Sequence, residues 1–139
     1  MNRIAETIKS NDLQAYQAER YPGTPDGEDL VFTGEDFADT DFANFSMGFT
    51  VFEKCNLDRA KNLYGQPITL TDCSAISIDL RGLALVIHAA RTDFSQMKYD
   101  DETVLAKPEN NSPSTFVNCT IDPDAIEHFK AQGVVFVEE

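Results

Sequence analysis

Large apolar residues recur along the middle of this chain at every fifth position: Phe32, Phe37, Phe42, Met47, Phe52 and Leu57 run without a miss. Neither an α-helix, at 3.6 residues per turn, nor a strand, at two, produces that spacing. After "AKNLYGQP", whose Gly65 and Pro67 read as a loop, the count resumes at Leu70, Ala75, Leu80, Leu85 and Ala90. A one-residue slip leads to Phe94, Tyr99 and Val104, and beyond the loop "KPENNSP" come Phe116 and Ile121. A second row, two positions earlier, is mostly small or apolar: Leu30, Thr40, Phe45, Thr50, Cys55, Ile68, Cys73, Ile78, Leu83, Met97 and Cys119. Each unit therefore has two inward and three outward positions.

A fixed short period is the mark of a repeat architecture. The units "IDLRG" (78–82), "CNLDR" (55–59), "TDFAN" (40–44), "TDFSQ" (92–96) and "CTIDP" (119–123) resemble the A(D/N)Lxx unit of the pentapeptide-repeat proteins, over about Leu30 to Pro123. The resemblance implies a right-handed, four-sided β-helix with one pentad per side and a little over four coils. Equivalent residues would stack from coil to coil at about the 4.8 Å strand spacing. Glu35, Glu102 and His88 fall on inward positions of this register, and Ala75 and Ala90 replace the large central residue.

The ends lack the period. Residues 1–29 read as a cap of two short helices and a lead-in, with Ser10-Asn11-Asp12 as a capping cluster and a stop before Pro22. Residues 124–139 read as a helix and a short closing strand, "VVFV". Asp122 is the expected N-cap, Pro123 the first helical residue and Gly133 the stop. The expected molecule is a single domain, an all-β solenoid over residues 30–123 with loops near 60–67 and 107–113, closed at both ends.

Charge adds a surface to this scaffold. The net charge is −13, and between Tyr21 and Glu53 there are eight acids and no base. Such a chain repels nucleic acid and attracts basic surfaces. If the units of Phe37, Leu57, Leu80 and Tyr99 stack, one side gathers Asp36, Asp39, Asp58, Asp79, Asp100 and Asp101, with Arg59, Arg81 and Lys98 offsetting part of the charge. The side through Leu85 carries Ala84, Val86, Ile87 and Leu105, an apolar patch suited to a second copy or a cap.

Catalytic motifs are missing: no P-loop, GxSxG or HExxH is present. His88 reads as packed against the coil and His128 as solvent-facing. Cys55, Cys73 and Cys119 lack metal-ligand spacing and read as small core residues of a reducing, cytoplasmic protein. No leader and no apolar run long enough to span a membrane is seen. The expectation is a protein without cofactor or metal that binds a basic protein partner. Some pentapeptide-repeat proteins are DNA mimics that bind type II topoisomerases, so the resemblance implies such a partner, and an acidic decoy equally suits immunity against a basic toxin. The alternative is a scaffold or oligomerisation module, such as a homodimer, using the apolar side or the capping helices, with the acids serving only solubility.

Overall fold

The computed structural model describes residues 3–20, 30–43, 45, 50–63, 67–107 and 112–138. Two short helices, α1 (Arg3–Lys9) and α2 (Leu13–Arg20), precede a parallel β-solenoid of about five turns. Its one extended sheet has the order β1 (Leu30–Thr33), β2 (Thr50–Glu53), β3 (Ile68–Thr71), β4 (Ile87–Ala90), β7 (Thr115–Val117), β8 (Val135–Val137). A small antiparallel hairpin, β5 (Ala106–Lys107) and β6 (Ser112–Pro113), departs from the solenoid between β4 and β7, and α3 (Pro123–Lys130) precedes β8.

Two further columns of single bridges and one lone bridge run beside the sheet, which marks out a second, a third and a fourth side among the described residues. The second side aligns Asp36, Asn56, Ser74, Asp93 and Thr120; the third aligns Asp41, Lys61, Asp79 and Lys98; the fourth joins Ala84 to Val104. The residue after each bridge points inward, except Asn62 after Lys61, which is exposed and donates to Asp41. Phe37, Leu57, Ala75 and Phe94 line one interior column and are all fully buried. Phe32, Phe52, Leu70, Ala89 and Phe116 line the column behind the sheet. Each small central residue lies one rung from a phenylalanine, Ala75 against Phe94 and Ala89 against Phe116, so neighbouring turns share the volume of a ring.

Three details of register differ from the sequence expectation. Lys61 forms a rung of its own on the third side, with Ala60 and Leu63 buried around it, so the start of "AKNLYGQP" is a genuine unit. Leu57 therefore stacks under Ala75, and Leu80 belongs to the column of Phe42 and Tyr99. The slip falls before Ala89, the true central residue of β4; Leu85, Val86 and Ile87 are buried in succession, and His88 points outward. On the fourth side an extra residue makes Leu105 central, which puts Thr103 inside and leaves Glu102 exposed. Met47 and Gly65 lie outside the described residues.

The corners depend on backbone that few residues adopt readily. Lys54, Asp72, Arg91 and Asn118 form one column with φ of 50° to 55°, and Asp39, Arg59, Ser77 and Gln96 form another with φ of 59° or 60°. This left-handed conformation turns the chain after each inward residue.

Both ends are closed. Ala5, Ile8 and Tyr16 of the N-terminal helices are buried, and the Tyr16 ring meets Phe45 edge-on at 4.8 Å. Asp12 caps α2, its Oδ1 accepting the Ala15 amide at 3.0 Å. Glu35, an inward acid of the first turn, is held by Lys9 at 3.0 Å. At the other end Ala125 and Phe129 of α3 are buried, and Gly133 (φ 98°) releases the chain into β8. β8 completes the fifth turn, one more than the pentads up to Pro123 supply. The Gln132 side chain accepts the Leu105 amide (3.0 Å) and donates to the Thr103 carbonyl (2.7 Å), which satisfies the open rung of the fourth side.

Candidate functional site

On the second and third sides five of the nine bridge residues are Asp or Asn, and the structure shows why. Asp36 Oδ1 accepts the amide of Ala38 (3.0 Å), Asn56 that of Asp58 (2.9 Å), Asp93 that of Ser95 (2.9 Å) and Asp79 that of Arg81 (3.1 Å). Asp41 and Asp100 do the same for Ala43 and Glu102. Each side chain mimics a backbone turn and fixes the corner that follows. The acids are thus part of the scaffold before they are part of any surface.

The expected single acidic side is divided between two walls. Asp36, Asp39 and Asp58 lie on the second side. Asp79, Asp100 and Asp101 lie on the third, with Asp41, Lys61, Arg81 and Lys98.

On the third side the bridge column alternates in sign: Asp41, Lys61, Asp79, Lys98. Arg81 also pairs with Asp79 in bidentate fashion (2.8 and 3.0 Å), which holds the Asp79 carboxyl below its ordinary range. Asn62 does the same for Asp41, and the Gly82 amide for Asp100. A shallow depression of about 360 Å³ here is lined by Lys61, Asn62, Asp79, Arg81 and Asp100. Its charges largely answer one another.

The second side is different. Asp39 is matched by Arg59 on the next turn (2.6 and 3.0 Å), and its carboxyl is lowered by that contact. Asp36, Asp58, Asp93 and Asp122 form no salt bridge among the described residues. Each is held by the scaffold: Asp58 Oδ1 accepts from Ser74 Oγ (2.6 Å) and the Ile76 amide (2.8 Å), and Asp122 Oδ2 accepts the Gln96 amide (3.0 Å). In each of the four, one oxygen is engaged with a described group and its companion oxygen is not. The result is four carboxylates fixed along one wall. Asp93 and Asp122 were not among the residues expected there, because the displaced register assigned Phe94 and Ile121 to other sides.

The expected apolar patch is not on the surface. Ile87 and Leu105 are fully buried, Val86 nearly so, and only Ala84 is exposed. Those side chains fill the core at the register slip.

His88 is half-buried, its Nδ1 2.9 Å from Thr115 Oγ1. His128 is not on the solvent side. Its ring stacks obliquely on Tyr99 at 4.9 Å and meets Phe129 edge-on, and its Nε2 is buried without a hydrogen-bond partner among the described residues. Cys55 and Cys73 are buried in one column, and desolvation pushes the Cys73 thiol up to about 11. Cys119 is half-buried. Among the described residues no cluster of three or more His, Cys, Asp or Glu is placed to hold a metal, and no helix is long and apolar enough to cross a membrane.

Comparison with protein-family models returns no match, and a search of curated proteins returns none either. The likeness to the pentapeptide-repeat proteins therefore rests on the repeat itself.

Proposed function

We propose that this protein acts by binding, docking its second side on a basic surface of a protein partner. The observation that carries this reading is the row of Asp36, Asp58, Asp93 and Asp122, fixed by backbone and hydroxyl donors and engaged in no salt bridge among the described residues. Carboxylates already held in place lose little side-chain freedom on meeting Lys or Arg, so less of the interaction is spent on ordering. Long-range attraction from a net charge of −13 would steer encounter.

Charge density narrows the class of partner. Four carboxylates over five rungs at about 4.8 Å give roughly one charge per 5 Å, against about 1.7 Å of axis per charge in duplex DNA. That density suits a discrete cluster of basic side chains better than a groove built to follow a duplex. An inhibitor or protector of a basic, nucleic-acid-acting protein, in the manner of an immunity protein, fits better than a DNA mimic that binds a topoisomerase.

The test uses Asp→Asn changes, because Asn keeps the turn-forming oxygen and removes the charge; Asn56 already does this in the same column. A lysine-rich peptide of about ten residues serves as the probe, with affinity read by calorimetry at low salt. The quadruple variant of residues 36, 58, 93 and 122 should bind at least about tenfold more weakly. A control that neutralises Glu6, Asp101, Glu127 and Glu138 should lose no more than about twofold. Equal losses would show that only net charge matters.

A further inference from the structure

The outward surface of the sheet is almost free of charge. Its two outward rows are Val31, Val51, Thr69, His88, Thr115, Val135 and Thr33, Glu53, Thr71, Ala90, Val117, Val137. Glu53 is the one acid of those rows in a chain of net charge −13. Val31 (47% exposed) and Val135 (40%) are two of the three exposed large apolar residues among the described residues, and they sit at opposite ends of one row.

From this we infer that the sheet is a contact face for a second copy of the same chain, packed face to face about a two-fold axis parallel to the strands. Charge selects the occupant: the second and third sides of two copies would oppose carboxylates, whereas this side brings neutral β-branched residues together. The axis follows from the rows. A two-fold along the strands reverses the order of rungs, so Val31 lies over Val135 of the other copy, Val51 over Thr115 and Thr69 over His88. The same operation sets the two Glu53 residues three rungs apart, about 14 Å, beyond the Debye length of about 8 Å at physiological salt.

Area sets the strength. A sheet about 24 Å from first to last strand and roughly 10 Å wide gives about 240 Å² per copy, well under the ~800 Å² of a stable interface. The pair is transient and fills only at high concentration. This inference is independent of the proposed partner, and salt separates the two: screening relieves repulsion between two acidic copies and strengthens their association, while it weakens docking on a basic surface.

Sedimentation equilibrium on the full chain, from about 10 µM to about 1 mM, tests it. The weight-average mass should rise toward the dimer, and rise further between about 50 and 300 mM salt. Thr69→Glu, at the middle of the face, should weaken the dissociation constant at least about tenfold. Ala84→Glu adds the same charge to the fourth side and should change it less than about twofold. Glu53→Gln should tighten it, because it removes the cost of desolvating a carboxylate laid over Val117 of the other copy. A protein that stays monomeric at about 1 mM in high salt, or equal effects of Thr69→Glu and Ala84→Glu, overturns the inference. If circular dichroism shows that Thr69→Glu is unfolded, the Glu53→Gln result decides: an unchanged constant rejects the face.

Discussion

Asp36 and Asn56 occupy the same position on successive turns and do the same work, each accepting through Oδ1 the amide two residues further on, at 3.0 and 2.9 Å. The shared atom is a side-chain carbonyl-type oxygen, not a charge. Asp36→Asn should therefore change stability by less than about 0.5 kcal/mol, whereas Asp36→Ala should cost about 1 kcal/mol, as loss of a helix cap does. Chemical denaturation of the two variants checks this; equal losses would mean that the charge, not the turn, is what the fold needs.

The left-handed corners make a second prediction. Ser77 has φ of 59° in the column of Asp39, Arg59 and Gln96. Ser77→Asn should be nearly neutral, since Asn tolerates this conformation, while Ser77→Val should cost about 1–3 kcal/mol. A valine that costs no more than the asparagine would contradict the assigned corner.

The core is organised around Phe52, whose ring centroid lies 5.6 Å from that of Phe32, 5.7 Å from Phe37 and 6.3 Å from Phe42. Phe52→Ala should destabilise by about 3–5 kcal/mol. Phe136→Ala, in the terminal rung and only partly buried, should cost clearly less. Urea melts of both variants give the comparison, and a loss below about 1 kcal/mol at Phe52 would remove it from the core.

Stability should fall at both ends of the pH scale. The Asp39, Asp41, Asp72, Asp79 and Asp100 carboxyls all lie below their ordinary value of 3.8, the first, third and fourth mainly through arginine partners. Their folded state holds protons less readily than the unfolded one, so their contribution is complete above that value and is lost as pH drops through the lowered ones. At the alkaline end Cys73 keeps its proton to about 11 in the fold against 9.0 unfolded, so stability declines as pH rises through that interval. Thermal melts from pH 7 to 2.5 should show the acid loss, and Asp79→Asn should flatten it. An unchanged acid limb in that variant would deny the Asp79–Arg81 pair its part.

The period of five was legible because inward residues stack on their equivalents, so Phe32, Phe37, Phe42 and Phe52 had to be large and evenly spaced. The caps were legible for local reasons: Asp12, Pro123 and Gly133 signal helix ends by their own chemistry. Register was not. Whether Lys61 begins a unit depends on what stacks above and below it, and one residue of slip near Val86 turns an apparent apolar patch into core. The acidic wall was half legible, with Asp36, Asp39 and Asp58 placed together and Asp93 and Asp122 missed. Their function in the turns had a signal, the Asp or Asn just before Phe37, Phe42, Leu57, Leu80 and Phe94, which charge counting passed over.

The account turns on whether the second side is the surface that meets a basic partner. A titration of the ¹⁵N-labelled protein with the lysine-rich peptide, followed by amide chemical shifts, reads this most directly. The amides bonded to the four carboxylates, those of Ala38, Ile76, Ser95 and Gln96, should shift most. Shifts concentrated around Lys61 and Arg81 or on the sheet, or spread evenly over every exposed acid, would contradict it.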